Sequence, residues 1–316
     1  MRTSGSRWPH EPVLVEEVLA ALQPAGGRRF VDGTVGAGGH ASRILEASGP
    51  TGRLLGLDVD PAALEVARER LAAFGGRAVL VRANFAACDD VARANGFVDS
   101  DGVLFDLGLS SLQLADDTRG FSFRSEGPLD MRADPGLERT AADLVGHSDE
   151  RELARIFTDY GDEPEARRIA AAIVRRRAKR PFETAAELGR FVAGVKQRRS
   201  GAIDPATRVF QALRIAVNHE LENLERGLAA ALRILRPGGR LAVISFHSLE
   251  DRMVKTFLAR ESRDCICPPH LPTCVCGHRA GLRVVTRRPV HPDAAEADRN
   301  PRARSAALRV AEKLQA

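Results

Sequence analysis

A glycine-rich loop directly behind a short apolar run limits the folds open to this chain more than any other stretch. The run Phe30-Val31 ends in Asp32, and residues 33–39, which we call the glycine loop, then place four glycines in seven positions. Glycine is needed where the backbone takes a positive φ or approaches a ligand closely, and the first turn of a following helix presents unpaired N–H groups. The pattern therefore predicts a strand, a ligand-binding turn and a helix in succession.

Two classes of ligand fit the glycine loop. The spacing Gly36-x-Gly38-x-x-Ala41 satisfies the relaxed dinucleotide-binding fingerprint. Counted from Asp32, the same glycines are similar to the first motif of S-adenosylmethionine (SAM) methyltransferases. Both ligands require an acid about 20 residues further on, at the end of a second strand, to hydrogen-bond a ribose hydroxyl. Asp58 supplies that acid in either case, so the loop alone leaves both ligands open.

Further apolar runs extend this unit into a sheet. Runs at residues 78–81 and 102–106 predict a third and a fourth strand, each separated from the last by a helical pattern. Such alternation predicts a parallel, doubly wound sheet, in which ligands lie beyond the carboxyl ends of the strands. The residues that close the four strands should therefore face one crevice: Asp32, Asp58, Phe85 and Asp106.

The last third of the chain predicts how the sheet closes. A fifth strand is expected over residues 241–246, and two further strands over residues 282–286 and 307–311. Because no full helix separates the last two, we expect an antiparallel edge. SAM methyltransferases have such an edge and dinucleotide-binding domains usually lack it.

Between the fourth and fifth strands the pattern is helical and basic. Residues 167–199 carry eleven Lys and Arg against two Glu, although the whole chain has a net charge of only +5. A local excess of this size suits a polyanion. The basic patch, as we use the term, has these members: Arg167, Arg168, Arg175, Arg176, Arg177, Lys179, Arg180, Lys196, Arg198 and Arg199. We predict a sheet domain in two parts, residues 1–113 and 205–316, with an inserted helical, substrate-recognising domain at residues 114–204.

Composition narrows the class of protein. No stretch approaches the roughly 20 apolar residues of a membrane span, so we expect a cytoplasmic protein without membrane contact. Four of the five cysteines crowd into residues 265–276, unlike a secreted disulfide framework, and we expect reduced thiols. Two interpretations stay open for Cys265, Cys267, Cys274 and Cys276 with His270 and His278: a zinc knuckle, or a loop stiffened by prolines. We assign no metal ligand on sequence grounds.

Six blocks of sequence together resemble one family. The blocks are residues 32–40, residues 106–113, Arg119-Gly120-Phe121-Ser122-Phe123, Pro128-Leu129-Asp130-Met131-Arg132, residues 245–252 and residues 300–305. They follow one another in the order found in the bacterial small-subunit rRNA cytidine-N4 methyltransferases of the RsmH/MraW family, across nearly the whole chain. Each block alone is weak, but the set is specific.

The resemblance implies an α/β fold, the doubly wound, Rossmann-like class I fold of SAM-dependent methyltransferases, with an antiparallel closing strand and an inserted helical domain. It also implies methylation, with SAM as donor, of the N4 amine of a cytidine in the decoding region of 16S rRNA. The partner would be small-subunit rRNA or the 30S subunit. Free rRNA and the assembled subunit both stay open as acceptor, and a homodimer stays open as the oligomeric state. By motif position, the implied SAM contacts are Gly38, Gly39, His40, Asp58, Phe85, Asp106 and Gln113.

Methyl transfer chiefly requires that the acceptor amine be held in line behind the methyl group. We hypothesise that Asp106, with Ser110 or Ser111, and His247 at the end of the fifth strand accept hydrogen bonds from that amine, so Asp106 and His247 are the candidate catalytic residues. The target base must leave its stack to react, and Phe121, Phe123 and Phe246 are candidates to stack on it. Two rival functions remain, a dinucleotide oxidoreductase and a non-catalytic RNA-binding protein. The antiparallel edge and basic insertion disfavour the first, and an intact glycine loop with Asp106 disfavours the second.

Overall fold

The computed structural model describes residues 12–196, 204–268, 271 and 273–315. Seven strands form one sheet: β1 (Arg29–Asp32), β2 (Arg53–Asp58), β3 (Ala78–Arg82), β4 (Ser100–Asp106), β5 (Leu235–Ser245), β6 (Leu282–Val284) and β7 (Ala307–Lys313). Their spatial order is β3-β2-β1-β4-β5-β7-β6. The first five are parallel, and β7 is antiparallel to both of its neighbours. The predicted doubly wound fold with an antiparallel closing strand is therefore confirmed.

Thirteen α-helices occur in the described residues. In chain order they are α1 (Val15–Leu22), α2 (Gly39–Ala47), α3 (Pro61–Leu71), α4 (Cys88–Asn95), α5 (Ser111–Ala115), α6 (Ala141–His147), α7 (Glu150–Gly161), α8 (Ala166–Arg177), α9 (Ala185–Val195), α10 (Thr207–Asn218), α11 (Glu220–Ile234), α12 (Ser248–Glu261) and α13 (Ala294–Arg299). No helix among the described residues is both long and apolar enough to cross a membrane.

The sheet is buried on both faces. Because successive side chains of a strand point to opposite faces, Phe30 packs on one side, with α1 and α2, while Val31 packs on the other, with α4 and α11. Leu104 and Phe105 divide between the two faces in the same way. This double coverage explains why the strands read as continuous apolar runs in the sequence.

The chain forms two compact units. The sheet unit ends its first part at Gly108 and resumes at Leu221, and the helical unit spans Leu109–Glu220. The helical unit has its own core, built by α6 to α10, with Phe157, Ile169 and Leu213 fully buried in it.

The helical unit is longer on both sides than the predicted range of residues 114–204. Its extension on the C-terminal side is α10, which packs on α7 and buries Phe210 in the helical core. The apolar spacing of residues 205–235 predicts one helix, but His219 takes a left-handed conformation with φ of 50° and separates α10 from α11. The apolar period continues across this break, so periodicity alone could not locate it.

Candidate active site

Three carboxylates close adjacent parallel strands at one edge of the sheet. Asp58, Asp32 and Asp106 are the last residues of β2, β1 and β4, which are neighbours in that order. Asp32 is 1% exposed, whereas Asp58 and Asp106 are partly exposed. The sequence placed these residues at one crevice, and the strand order puts them side by side.

The glycine loop connects the three carboxylates. The Gly36 N–H donates to Asp58 Oδ2 at 2.9 Å, and the Thr34 N–H donates to Asp32 Oδ1 at 3.1 Å. Thr34 Oγ1 in turn accepts from the backbone N–H of Asp106 at 2.6 Å. A single short loop therefore sets the positions of all three strand ends.

The glycines of this loop serve different purposes. Gly36 and Gly38 have φ of 50° and 76°, values that other residues adopt at a cost, and Gly38 caps α2 without a side chain. Gly39 has no such φ, but a Cβ there would lie 3.1 Å from Pro12, so this glycine admits the chain that precedes α1. The loop therefore presents bare backbone at Gly36 and Gly38, where a ligand can approach.

His40 links the loop to Asp106 from inside the protein. Its Nδ1 lies 3.4 Å from Asp106 Oδ2, and its Nε2 lies 2.8 Å from the carbonyl oxygen of Val13. Burial lowers the pKa of His40, but the hydrogen bond to Asp106 and the charges of Asp106 and Asp32 outweigh it and raise the pKa above its ordinary value. The imidazole, 5% exposed, therefore orients Asp106 and leaves little of its own surface for a ligand.

Burial also shifts the carboxylates. It raises the pKa of Asp32 to about 7, against the opposing charge of His40 and the hydrogen bond from Thr34. The pKa of Asp58 is raised by burial too, although the N–H groups of Asp60 and Gly36 stabilise its charged form. Near neutral pH, Asp32 is therefore partly protonated, which reduces the negative charge at this edge of the sheet.

One oxygen of this group has no partner in the described part of the chain. Asp106 Oδ1 is buried and accepts no hydrogen bond, although Asp106 Oδ2 faces His40. A buried carboxylate oxygen without a donor costs free energy, so such an atom marks a place for a ligand N–H or O–H.

Phe85 is anchored in the core. It follows β3 in a short 3₁₀ turn capped by Asn84, and its ring centroid lies 5.0 Å from that of Phe105. Gly227 of α11 leaves room for the ring, because a Cβ there would overlap it. Phe85 stays partly exposed, so one part of the ring packs in the core and the rest is open to a ligand.

His247 begins α12. Its Nδ1 accepts from the N–H of Glu250 at 3.4 Å, and Glu250 Oε2 accepts from the N–H of Phe246 at 2.8 Å. Its Nε2 lies 3.1 Å from Glu250 Oε1 but outside hydrogen-bond geometry, so it is a second buried atom without a hydrogen-bond partner among the described residues. Because Nδ1 is the acceptor, the proton of the neutral ring sits on Nε2, which is buried beside the Glu250 carboxylate.

Gln113 lies in the helical unit, on α5. It is 5% exposed and forms a capping box with Ser110, in which its Oε1 accepts from the Ser110 N–H at 3.1 Å. The side chain of Ser111 lies outside the described residues. Within its unit, Gln113 therefore has a structural role.

The basic patch divides into structural and exposed members. Arg176 pairs with Glu187, Arg177 donates to the carbonyl of Val145, and Lys196 Nζ lies 2.7 Å from buried Glu163. Arg168 and Arg180 are exposed and pair with Glu165 and Glu183. Arg167, Arg175 and Lys179 are exposed with no ion pair found in the described part of the chain. Arg198 and Arg199 lie outside the described residues.

The three aromatic candidates for base stacking differ in environment. Phe121 is 8% exposed and belongs to the helical core, and Phe123 packs edge-on against Phe210 at 5.9 Å. Phe246 lies after β5 and its ring is in contact range of Gly108. Core burial therefore accounts for Phe121, while Phe246 stays partly exposed at the sheet edge.

Sequence reasoning missed two residues of this site. Thr34 joins the ends of β1 and β4, and Glu250 completes the cap of α12. A turn-forming acid two residues before Thr34 was a usable signal for the first. The second follows the capping-box spacing, but with His in place of the usual Ser or Thr, so the pattern passes unnoticed.

The chain has relatives of known name. The profile of the MraW methylase family matches residues 7–314. A protein of Thermomicrobium roseum named Ribosomal RNA small subunit methyltransferase H is 54% identical over 305 residues, 96% of this chain and 94% of the relative. The protein of the same name from Geobacter sulfurreducens is 54% identical over 307 residues, 96% of this chain and 99% of the relative. A solved rRNA methylase structure from Streptococcus thermophilus is similar with a TM-score of 0.45 and 12% identity, over 98% of this chain and 99% of that chain.

Proposed function

Because the chain belongs to the MraW methylase family, we propose that it transfers a methyl group from SAM to the exocyclic N4 amine of a cytidine in the decoding region of 16S rRNA. The observation that carries this proposal is the convergence of Asp32, Asp58 and Asp106 on the glycine loop. SAM is a cation at its sulfonium centre, and the negative charge that the carboxylates around the loop retain favours it. The pyrophosphate of a dinucleotide would be repelled at the same place.

The residues present fit SAM. Asp58, at the end of β2, would accept hydrogen bonds from the two ribose hydroxyls, and the exposed part of Phe85 would cover the adenine. The open backbone of Gly36 and Gly38 would hold the ribose and amino-acid portion of the molecule. When bound, SAM supplies a methyl group on a sulfonium, which leaves as a neutral thioether.

According to this proposal, Asp106 and His247 hold the cytosine in position for the reaction. The N4 amine donates its lone pair to the ring, so an acceptor on its N–H groups favours the pyramidal form that attacks the methyl carbon. Asp106 Oδ1 is that acceptor and takes up the proton that the methylated amine loses. His247 stays a candidate to position the cytosine. With the proton on Nε2 it would donate to a ring acceptor of the cytosine, N3 or O2, where the sequence-based hypothesis has it accept from the amine.

The substrate presents further requirements. A cytosine inside a duplex cannot reach the sheet edge, so the target is single-stranded or flipped out. The exposed Arg167, Arg175 and Lys179 supply phosphate contacts for such a strand. Small-subunit rRNA or the 30S subunit is therefore the partner we propose, and the reaction takes place where ribosomes are made, in the cytoplasm.

The test is direct transfer. The protein is incubated with methyl-labelled SAM and 30S subunits lacking the modification. One part of the rRNA is then digested to nucleosides for mass spectrometry, and another part is cleaved by a nuclease into oligonucleotides to map the labelled position. We expect N4-methylcytidine at one decoding-region position, and loss of at least about 100-fold in rate for Asp106→Asn. Label on carbon 5 of the base, on another nucleotide, or only on large-subunit rRNA would contradict the proposal.

A further inference from the structure

Four cysteines come together in a segment that the methyltransferase reaction does not use. The cysteine segment, residues 262–281, connects the end of α12 to the start of β6. In its described part, the Sγ atoms of Cys265, Cys267, Cys274 and Cys276 all lie within 4.8 Å of one another. Cys88, the fifth cysteine, is buried elsewhere, in α4.

The sulfur separations match the edges of a tetrahedron around a metal ion. Cys274 Sγ lies 3.6 Å from Cys276 Sγ, which lies 3.9 Å from Cys265 Sγ. Four thiolates at a zinc–sulfur distance of about 2.3 Å are separated by about 3.8 Å along each edge of a regular tetrahedron. A disulfide would instead bring two sulfurs to about 2.05 Å, and all four cysteines are free.

Backbone N–H groups support the sulfurs. The N–H of Ile266 points to Cys276 Sγ at 3.5 Å, and that of Val275 points to Cys267 Sγ at 3.4 Å. These two contacts run in opposite directions between the two Cys-x-Cys pairs, and the Cys267 N–H adds a third to Cys265 Sγ at 3.4 Å. Such donors stabilise thiolates and fix the directions of metal ligands.

The cysteine segment has little apolar core to hold it. Ile266, Leu271 and Val275 are 45%, 41% and 77% exposed, so the largest apolar side chains of the segment point outward. The segment is tied to its flanks at its base, where the Gly281 N–H donates to the Glu261 carbonyl at 2.8 Å. Ordering a loop of this length without a core requires another source of free energy, which small folds obtain from a metal or a disulfide.

We propose that Cys265, Cys267, Cys274 and Cys276 bind one Zn²⁺ as a tetrahedral tetrathiolate. Four sulfurs complete the coordination and leave no open position, so the site is structural. His270 lies outside the described residues and is not required. The complex carries a charge of about −2, which the neighbouring Arg263 and Arg279 offset. Tetrahedral thiolate sites select zinc or iron, and the two metals are told apart by the test.

The first measurement is the metal content of the full chain. Protein purified without an affinity tag and freed of loose metal by gel filtration is analysed by inductively coupled plasma mass spectrometry. We expect about one zinc per chain, released in step with titration of four thiols by a mercurial reagent. Less than about a tenth of an equivalent of any metal after growth with added zinc, or one iron in place of zinc, would overturn the proposal.

Matched cysteine variants identify the ligands. In Cys265→Ser with Cys276→Ser, zinc should fall to less than about a tenth of an equivalent, because two of four ligands are lost. Cys88→Ala removes a cysteine from the same chain outside the segment and should keep about one equivalent. Replacement of zinc by Co²⁺ should give the thiolate charge-transfer and visible bands of tetrahedral cobalt in the wild type and in Cys88→Ala. Equal zinc in the double variant and the wild type would also overturn the proposal, and no readout here depends on methyl transfer.

Discussion

Asp32 is buried at the strand edge and binds its proton more tightly in the folded protein than in the unfolded chain. Its pKa rises from 3.8 to about 7 because burial disfavours the charged carboxylate. The pKa of neighbouring His40 is raised as well, through Asp106 and Asp32. Both groups therefore take up protons on folding, and both make the folded state less stable as pH rises.

We predict the pH dependence that Asp32 imposes. Since the folded pKa lies above the unfolded one, its stabilising effect is complete below about pH 4 and is lost as pH rises to about 7. In Asp32→Asn the free energy of unfolding should fall less with pH, and the wild type should lose up to about 4 kcal/mol relative to it across that range. Urea unfolding from pH 4 to pH 8 measures this difference. Asp90→Asn, an exposed change on α4, should follow the wild type, and parallel curves for wild type and Asp32→Asn would exclude the effect.

A change at Asp58 tests the proposed SAM-binding site separately from RNA binding. Removing the carboxylate in Asp58→Ala takes away charged hydrogen bonds of about 1.5–3 kcal/mol each, so affinity for S-adenosylhomocysteine should fall by about 10- to 100-fold or more. Isothermal titration calorimetry measures it, with Asp90→Ala as the control. A 2′,3′-dideoxy analogue should bind the wild type as weakly as the variant binds the normal ligand, and should cost the variant nothing further. A dissociation constant within about twofold of wild type would remove Asp58 from the site.

For the individual residues of the candidate site, the sequence predicted where they lie better than it predicted which residues they contact. Asp32, Asp58 and Asp106 could be located because an acid after an apolar run marks a strand end, and parallel strands bring their ends to one edge. The pairing of His40 with Asp106 depends on a distance between residues far apart in the chain, which no local pattern contains. The capping role of His247 was missed because His is an unusual helix cap.

Among the elements, two of the recognised blocks form one structural piece. Arg119 donates to the carbonyls of Arg132 and Ala133 at 2.8 and 3.0 Å, and the Met131 N–H donates to the Arg119 carbonyl at 2.9 Å. Gly120 lies against the carbonyl of Pro128 with φ of 66°. Residues 119–123 and 128–132 therefore fold together against the helical core. The contacts between the two blocks explain why particular residues, such as Arg119 and Gly120, are needed there.

Gly120 should accordingly tolerate no side chain. In Gly120→Ala a Cβ would overlap the Pro128 carbonyl at a positive φ, and we expect a loss of more than about 2 kcal/mol in the free energy of unfolding. Gly146→Ala is the matched control, because this glycine lies in α6 with nothing within 4 Å, and it should be neutral or stabilising by up to about 1 kcal/mol. Urea unfolding followed by circular dichroism compares them. Equal stability of the two variants would show that the backbone where residues 119–123 contact residues 128–132 can rearrange to make room for a side chain.

One member of the basic patch supports the helical unit from within. Glu163 is fully buried in its side chain, and Lys196 Nζ also donates to the Pro205 carbonyl at 3.1 Å. Lys196→Met leaves a buried carboxylate without its cation, and we expect it to cost about 3–5 kcal/mol. Lys179→Met removes an exposed lysine and should change stability by less than about 0.5 kcal/mol. Chemical denaturation of both variants is the measurement, and a loss below about 1 kcal/mol for Lys196→Met would mean that Glu163 is protonated or hydrated instead.

Element type was predictable where the apolar pattern was strong. The five parallel strands and the capped start of α9 at Thr184 follow from local sequence. The end of α10 does not, because it depends on Asn218, whose side chain binds the Met131 carbonyl at 2.8 Å and the Ala133 N–H at 2.6 Å. Contacts made across 85 or more residues decide where that helix stops.

For the molecule as a whole, charge distribution yields a prediction about RNA. If Arg175 and Lys179 contact phosphates of a single strand, Arg175→Glu with Lys179→Glu should reduce the slope of log affinity against log salt by about 1.4, at about 0.7 per contact. Arg68→Glu with Arg93→Glu makes the same change in net charge on α3 and α4 and should leave the slope near wild type. Filter binding of small-subunit rRNA over a salt series measures both. Identical slopes for the two double variants would show that the basic patch is only a solvated surface.

The position of β7 has a consequence for how the protein is made. This strand follows β6 in the chain, yet it lies between β5 and β6, and only through it does β6 join the sheet. The helical unit, by contrast, is continuous in the chain and can complete its core while synthesis continues. During that interval β4 emerges with an unpaired edge, which can recruit a foreign strand. The nascent protein is thus most vulnerable to aggregation until β5 and β7 have been made and have paired with the sheet.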